Sequence, residues 1–323
     1  MRRLFVARTE HELDNLRPHW VNILRESPFH GVFQQFDIAR LAGTHFAQRE
    51  TPHFVVAESD SGLAIIPAVI RTDKTIALVG EALFDYRDVL ASGDPDVLRY
   101  AWTRLMQLRM PLSVVALRDS YACKRWQDFA PQPFANAPCT LRTHTSADEF
   151  SSTHSRLGSR ARRLSRRGVE LQRHAGMNSG LIRWIYEQKG SQPARQANVF
   201  ADALRREFMV RMAAEPASRC EVFTYECNEK VVASLVTFLH GHTRNFYTIY
   251  FDQRWAEHSP GQSLVYEATA LSLAEGLDCD YMTGEYPYKL RVATDTVRLY
   301  RVEASAEKLL QIIDGDRLGE LVA

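Results

Sequence analysis

The sequence has few cysteines, and nothing in their spacing pairs them. Its five cysteines are an odd number without a Cys-x-x-Cys spacing: Cys123, Cys139, Cys220, Cys227 and Cys279. Disulfides belong to oxidising compartments, so this usage predicts free, buried thiols in a reducing one. A His-x-x-x-His spacing and a Cys/His cluster are also missing. No metal site is therefore predicted.

Long apolar runs and a strong net charge are missing as well. No run approaches the roughly 18 apolar residues that span a bilayer. The N-terminal stretch holds too few apolar residues for a secretory signal, which needs about 7–15. We therefore expect a cytoplasmic protein without a transmembrane segment. The net charge is +1 over 323 residues, so any basic site must be local. The length suits two domains of about 150 residues each.

Two segments of the chain begin with the same order of elements. Each has a short strand, then a capping-box pattern, then an amphipathic helix. In the first copy these are Leu4–Ala7, Thr9 with Glu12, and a helix bearing Leu13, Leu16, Trp20, Ile23 and Leu24. In the second copy they are Thr140–Thr143, Ser146 with Glu149, and a helix from Phe150.

The two segments also continue alike, each with a hairpin, a third strand, a helix and a buried strand. The first copy has Phe54–Glu58, Leu63–Ile70, Thr75–Val79, Asp94–Gln107 and Leu112–Leu117. The second has Cys220–Glu226, Val231–Leu239, Arg244–Phe251, Gly261–Gly276 and Asp280–Thr283. A helical insertion at about 178–214 occurs only in the second copy. The sequence thus predicts an α/β fold with a mixed sheet, in two domains over 1–139 and 140–323.

The specific motifs lie mainly in the second copy. Tyr250-Phe251-Asp252, Trp255, Ser259-Pro260-Gly261, Asp280–Glu285 and Tyr288-Lys289 follow one another there, after the arginine-rich segment Ser155–Arg167. This pattern resembles the GNAT-like acetyltransferases associated with bacterial cellulose and exopolysaccharide biosynthesis. Their organisation is similar to that of the Fem-type aminoacyltransferases, which are tandem GNAT folds. The resemblance implies tandem GNAT-like acyltransferase folds, with acetyl-CoA or another acyl-CoA as co-substrate.

A strand-to-helix loop carries the cofactor prediction. Its glycine allows close approach of the backbone, and the first N–H groups of the helix form a site for a pyrophosphate. The resemblance aligns His258, Gly261 and Ser263 with the pattern Gln/Arg-x-x-Gly-x-Gly/Ala, of which only Gly261 agrees. The alternative is that Pro260 and Gly261 merely begin a helix. The predicted cofactor-binding residues are His258, Ser259, Gly261, Gln262, Ser263 and Leu264.

Resemblance further implies that the pantetheine arm lies between two splayed strands, Arg244–Phe251 and Asp280–Thr283. Backbone N–H groups there would stabilise the oxyanion. The candidates for proton transfer are Glu285, Tyr288, Tyr250 and Asp252. Glu285 follows a buried strand, where partial desolvation would favour a general base; an exposed loop carboxylate is the alternative. Asp252 and Trp255 have a structural alternative, holding the loop. Lys289 is predicted to bind a phosphate or carboxylate of the substrate.

The dense basic run is open to three interpretations. Arg156, Arg160, Arg163 and Arg167 form one stripe at helical spacing. The stripe is a solvated face with surface ion pairs, a site for nucleotide phosphates or an anionic glycan, or an RNA-binding face. The second interpretation makes Arg160 and Arg163 substrate-binding residues.

In the first copy, Asp94 is predicted to cap the helix, and its carboxylate would repel a phosphate. This copy is therefore expected to lack CoA and to help bind the acceptor. Asp85, Tyr86 and Asp88 are its candidate contacts, with a structural network as the alternative.

The leading function is transfer of an acyl group, acetyl in the simplest case, from CoA to an amine or hydroxyl of a sugar, a polysaccharide precursor or a related small-molecule acceptor. A Fem-like transferase that uses aminoacyl-tRNA and a non-catalytic accessory protein of polysaccharide assembly are the alternatives. No covalent enzyme intermediate is expected, because no Ser or Cys lies near a plausible activating partner.

Overall fold

The computed structural model describes residues 3–26, 31–118, 129–175, 178–192 and 198–312. Two compact units divide the chain: Met1–Ala135 with Arg298–Ala323, and Asn136–Val297. The predicted division put everything from residue 140 onward in the second domain. The segment from Arg298 instead lies in the first unit, because its strand pairs with a strand there. None of the helices in the described ranges has the length and hydropathy to cross a membrane.

The first unit has a mixed sheet in the order β1-β2-β3-β4-β6, with β13 beside β6 and β5 paired to β3. Its core lies between this sheet and α4, where residues such as Val55, Ala57 and Leu105 are buried. The strands are β1 (Arg3–Ala7), β2 (Glu50–Ser59), β3 (Gly62–Arg71), β4 (Ile76–Leu78), β5 (Leu90–Gly93), β6 (Leu112–Arg118) and β13 (Asp295–Ala304). The helices are α1 (Glu10–Asp14), α2 (Arg17–Glu26), α3 (Phe36–His45) and α4 (Pro95–Met106).

Local signals account for the helix starts in this unit. Both hydrogen bonds of the capping box are present: the Thr9 side chain accepts from Glu12 N, and the Glu12 side chain accepts from Thr9 N. At the start of α4, Asp94 accepts a hydrogen bond from Asp96 N. The single helix predicted after Thr9 is instead two helices, α1 and α2, because α1 ends at the cap residue Asn15. Leu13, Leu16, Trp20 and Ile23 are nevertheless all buried, as the helical spacing predicted.

The second unit has a sheet in the order β7-β12-β11-β10-β9-β8. The predicted strand Thr140–Thr143 is wrong, since β7 ends at Thr140 and a turn follows. The strands are β7 (Gln132–Thr140), β8 (Glu170–Ala175), β9 (Cys220–Cys227), β10 (Lys230–His240), β11 (Thr243–Phe251) and β12 (Asp278–Asp280). The helices are α5 (Ala147–Thr153), α6 (Ser155–Ser165), α7 (Ser179–Ser191), α8 (Ala203–Ala214), α9 (Pro260–Ala274) and α10 (Pro287–Leu290).

A β-bulge in β11 sets which side chains face which helix. Thr248 pairs with Val236 but Phe246 pairs with Thr237, so Tyr247 is the extra residue. A bulge shifts the alternation of side chains by one position. Phe246 before it and Ile249 after it therefore both pack in the α9 core. Thr248 faces the opposite side, where its hydroxyl meets Tyr186 of α7 at 3.1 Å.

Candidate active site

A gap between β11 and β12 is the central feature of the second unit. The strands pair in parallel only from Thr243–Asp278 to Asn245–Asp280. Beyond Asp280 the chain stays with β7, as Tyr281 N donates to Pro138 O (3.0 Å) and Gly284 N donates to Asn136 O (2.9 Å). β11 meanwhile continues along β10 as far as Phe251. The two segments predicted to splay therefore separate after three residue pairs, next to the bulge at Tyr247.

The N-terminus of α9 follows β11 through a 3₁₀ helix, Gln253–His258. Ser259, at the N-cap, has a left-handed backbone (φ 50°), and its side chain makes no capping hydrogen bond. The first bond of the helix ladder runs from Ser263 N to Ser259 O at 3.2 Å. The N–H groups of Gly261 and Gln262 precede that bond, so the helix itself provides no acceptor for them. They carry the positive end of a helix 15 residues long.

Gly261 serves the packing of this helix against β11. A Cβ on Gly261 would lie 3.1 Å from Ile249 Cδ1 and 3.4 Å from Phe251 Cδ1. The glycine therefore allows a close approach of the helix to β11, whereas the prediction was a close approach to a ligand. Its N–H still belongs to the unbonded first turn, so the glycine brings that turn against the end of β11.

Two arginines from distant parts of the chain meet at this helix end. Gln262 Oε1 accepts from Arg291 Nη1 (2.8 Å) and from Arg160 Nη1 (3.4 Å). Arg160 lies on α6 and is half-buried, whereas Arg291 follows α10 and is exposed. In the described part of the chain neither guanidinium forms an ion pair with a carboxylate. The positive end of α9 thus has two further uncompensated charges beside it.

The other predicted cofactor residues have packing roles. Leu264 is fully buried in the core, and Ser263 Oγ donates to Ser259 O at 3.3 Å. The His258 ring lies 5.8 Å from that of Trp255. Of the predicted loop residues, Gly261 and Gln262 are the ones with unbonded backbone N–H groups.

The four arginines of the predicted stripe do not share the same environment. Arg160 reaches α9, whereas Arg163 Nε donates to Ser159 O of its own helix at 3.4 Å. Arg156, Arg163 and Arg167 are exposed. No ion pair of these arginines is present among the described residues, so the interpretation as a face of surface ion pairs is not supported.

Two of the residues predicted for proton transfer, Glu285 and Tyr288, lie in one short segment that follows β12. Glu285 is exposed, which matches the alternative of an exposed loop carboxylate and not the predicted partial burial. The rings of Tyr286 and Tyr288 are stacked 6.1 Å apart, and Tyr286 is 52% exposed. A carboxylate and an open aromatic surface therefore lie together just after the strand that borders the gap.

Lys289 is placed differently from the prediction. It is only 7% exposed, and its Nζ donates to Thr283 O (2.7 Å) and Met282 O (3.2 Å). Met282 has a strained, left-handed backbone (φ 63°), so the ammonium group stabilises a turn that contains a strained residue. The predicted contact of Lys289 with a substrate phosphate or carboxylate is replaced by this structural role.

Tyr250 and Asp252 lie at the end of β11. Burial raises the pKa of Tyr250, with a further contribution from the Asp252 charge, and its ring meets that of Trp184 edge-on at 5.4 Å. The Arg254 guanidinium lowers the pKa of Asp252, which also caps the 3₁₀ helix through Arg254 N at 3.0 Å. An ionised, capping Asp252 matches the structural alternative, that of holding the loop.

Cys220 and Cys279 are buried and are not placed for covalent catalysis. Burial raises the pKa of the Cys220 and Cys279 thiols to about 12, so neither forms a thiolate near neutral pH. Cys123 lies outside the described residues. No group of three or more potential metal ligands occurs within the described ranges.

The candidate acceptor residues of the first unit lie between β4 and β5. Tyr86 is buried, with the Arg118 guanidinium 4.6 Å from its ring centroid and its carbonyl accepting from Gln34 Nε2 at 3.1 Å. Asp88 Oδ1 accepts from Val89 N at 2.7 Å. Asp85 is half-buried. Contact of these residues with an acceptor stays a prediction.

Comparison with known proteins finds a matching domain family and similar solved structures. Residues 151–290 match the family described as "Acetyltransferase (GNAT) domain". No curated protein matches the sequence. Similar solved structures include the C-terminal domain of a putative lysylphosphatidylglycerol synthetase from Agrobacterium fabrum. It is 12% identical in sequence with a TM-score of 0.56, and the alignment covers 87% of this chain and 95% of that one. FemX has 9% identity and TM-score 0.57, over 96% of this chain and 99% of that one. A tandem GNAT protein of the clavulanic acid biosynthesis pathway has 8% identity and TM-score 0.50, over 94% and 98% of the two chains.

Identities this low establish the fold alone, and the fold is the predicted mixed α/β arrangement of tandem GNAT-like units. The family match covers the helix α9, the gap beside it and the segment after β12. The second unit therefore carries a GNAT-type acyltransferase domain.

Proposed function

We propose that the second unit transfers an acyl group, acetyl in the simplest case, from acyl-CoA to an amine or hydroxyl of a sugar or polysaccharide precursor. The observation that carries the proposal is the first turn of α9. In the described part of the chain, this turn has two N–H groups outside the helix ladder and two arginines without carboxylate partners, Arg160 and Arg291, and it packs against the end of β11.

The residues present fit the phosphates of CoA. A pyrophosphate is recognised by unbonded N–H groups at a helix N-terminus and by guanidinium groups. In this proposal Gly261 and Gln262 donate through their backbones, while Arg160 and Arg291 exchange Gln262 Oε1 for phosphate oxygens. Asp94 occupies the corresponding position in the first unit and caps α4, which would disfavour phosphate there.

The reaction proposed is direct attack on the thioester. The acceptor nitrogen or oxygen forms a bond to the acyl carbon, the carbon–sulfur bond breaks, and the thiolate takes up a proton. N–H groups along the open edge of β11 would stabilise the oxyanion. Glu285 receives the acceptor proton, directly or through water, and Tyr288 donates to the departing sulfur. With its raised pKa, Tyr250 stays protonated and is the second candidate acid.

The segment after β12 supports a sugar as the acceptor. Tyr286, 52% exposed and stacked with Tyr288, offers a flat aromatic face of the kind that packs against the apolar face of a sugar ring. Glu285 next to it accepts hydrogen bonds from hydroxyl or amino groups. These features support a sugar over a long apolar acceptor.

The test is calorimetric titration with acetyl-CoA, comparing wild type with Arg160→Gln/Arg291→Gln. We expect saturable binding that the double variant weakens at least tenfold. Arg163→Gln is the matched control on the same helix, since Arg163 bonds to its own helix, and it should bind within twofold of wild type. Absence of binding at millimolar acetyl-CoA would overturn the proposal, and an aminoacyl-tRNA donor or a non-catalytic role would then be examined by RNA-binding assay.

Turnover tests the catalytic roles separately. With acetyl-CoA and amino sugars as substrates, Glu285→Gln and Tyr288→Phe should lower kcat by about 10²–10⁴ for a general base or acid. They should leave acetyl-CoA affinity unchanged, because neither residue is assigned to the phosphates. Unchanged kcat in both variants would contradict the roles assigned here.

A further inference from the structure

A cleft in the first unit lies between the edge strand β1 and α4. Its volume is about 500 Å³, and it is lined by Leu4, Phe5, Val6, Arg8, Tyr100, Thr103, Arg104 and Gln107. β1 is the outermost strand of this unit, so one edge of it is open. This size suits a small organic ligand, since such sites commonly measure about 300–1,000 Å³.

Two arginines supply the only formal charges of the lining. Arg8 follows β1, and Arg104 lies in the last turn of α4. Arg104 Nη1 donates to Gln107 Oε1 at 2.9 Å, and Arg8 Nε donates to His53 Nδ1 at 3.4 Å. Glu12 is the nearby carboxylate, but it accepts from the backbone N–H groups of Arg8 and Thr9. Among the described residues, no carboxylate forms an ion pair with either guanidinium.

His53 is the hydrogen-bond partner of Arg8 and does not offset the charge of the two arginines. His53 lies on the same face of β2 as Val55 and Ala57, which pack in the core under α4. It is 3% exposed, and its Nδ1 accepts from Arg8, so the ring is neutral. Burial lowers the pKa of His53 to about 4, and the charges of Arg8 and Arg104 lower it further in the same direction. Both guanidinium groups line the cleft, and Arg8 also contacts this buried ring.

We propose that Arg8 and Arg104 bind the phosphoryl group of a small phosphorylated ligand whose remainder occupies the cleft beside Tyr100. A phosphate monoester carries close to two negative charges at neutral pH, which matches two guanidinium groups better than a single carboxylate does. Tyr100 is 37% exposed and offers an aromatic surface to an attached ring. The lining has no further basic side chain, which argues against a nucleic-acid backbone, since that requires an extended positive track.

His53 provides the readout. A bound dianion offsets the field of the two arginines, so the pKa of His53 should rise on binding. The experiment follows the His53 ring by NMR, assigned with His53→Gln, while inorganic phosphate, a hexose phosphate or AMP is added to the full-length protein. Sodium chloride at the same ionic strength is the control for screening. Saturable shifts beyond those in chloride are expected, with the organic phosphates binding more tightly than inorganic phosphate.

Variants separate this site from the rest of the molecule. Arg8→Gln and Arg104→Gln should each weaken phosphate binding at least tenfold, measured from the concentration dependence of the His53 shift, which reports on this cleft alone. Arg99→Gln removes the same charge from α4 outside the cleft lining and should bind within twofold of wild type. Arg160→Gln/Arg291→Gln should also leave this binding unchanged, so failure here is distinguishable from failure of the acyl-CoA proposal. The same response of His53 to phosphate and to chloride, or equal affinity in Arg99→Gln and Arg104→Gln, would overturn the proposal.

Discussion

Replacing Gln262 by Glu separates the stability of α9 from its proposed binding of phosphate. Gln262 is the third residue of the helix, and its side chain lies between Arg160 and Arg291. A carboxylate at this position is favourable for the isolated helix, by about 0.3–1 kcal/mol. Ion pairs with the two arginines add little at a solvated site. We therefore expect a melting temperature equal to that of wild type or up to about 3 °C higher.

The same carboxylate should repel a pyrophosphate strongly. Two unit charges about 5 Å apart at an effective dielectric constant of about 20 interact by roughly 3 kcal/mol. That energy corresponds to a loss of affinity of about a hundredfold or more, since about 1.4 kcal/mol is one factor of ten. The carboxylate would also compete for Arg160 and Arg291, which acts in the same direction.

Calorimetry with acetyl-CoA measures this loss, and Gln262→Ala is the matched control. The alanine variant removes the amide that holds the arginines without adding charge, so its affinity should fall by less than about tenfold. The loss of acetyl-CoA affinity caused by Gln262→Glu should become smaller as the salt concentration rises. A folded Gln262→Glu protein that binds acetyl-CoA within twofold of wild type would refute the assignment of phosphates to this helix end.

Three further predictions concern stability. Ser259→Gly should raise the free energy of unfolding by about 0.5–1 kcal/mol in denaturant titrations, because Ser259 has φ 50° and no capping bond to lose; a destabilised variant would contradict this. Lys289→Met should lower it by about 2–3 kcal/mol, since the carbonyls of Met282 and Thr283 lose a buried donor; an unchanged value would show that the ammonium does not hold the turn. Between pH 6.5 and 4 the unfolded chain protonates His53 while the folded chain, with its pKa at about 4, does not. Stability should therefore fall with decreasing pH by up to about 3 kcal/mol from this group, and His53→Gln should lose that part of the slope.

Elements with a strong local pattern could be predicted from the sequence. Both hairpins, β2–β3 and β9–β10, and the helices α4 and α9 occur within a few residues of their predicted positions. Their signals are alternating apolar residues, turn residues and a capping carboxylate, all of which act over a few positions. The strands β5 and β13 are not predicted from the sequence, because their burial is uneven. Pairing with a neighbour, not local propensity, defines them.

Side-chain contacts at the site depended on residues far apart in sequence. Arg291 was not among the candidates, because nothing beside it in the chain indicates that its guanidinium meets Gln262, 29 positions earlier. The bulge at Tyr247 likewise has no local sequence signal, although it changes which face each later residue of β11 occupies. The sequence assigns Lys289 to substrate binding because the Tyr288-Lys289 pair belongs to the pattern of the family that it resembles. The backbone of Met282–Gly284 instead turns two carbonyl groups toward it.

The two positions at which the α9 loop departs from the usual GNAT pattern are not the ones that offer groups to a phosphate. His258 and Ser263 are the positions that differ, and both are engaged in local packing: a ring contact with Trp255 and a hydroxyl bonded to Ser259 O. The unbonded N–H groups belong to Gly261 and Gln262, whose availability depends on backbone geometry and not on the identity of residues 258 and 263. Arg160 and Arg291 then supply the charge from outside the loop. Affinity for a phosphate at this helix end should therefore be sensitive to changes at 160, 262 and 291, and should tolerate the residues at which the loop departs from the pattern.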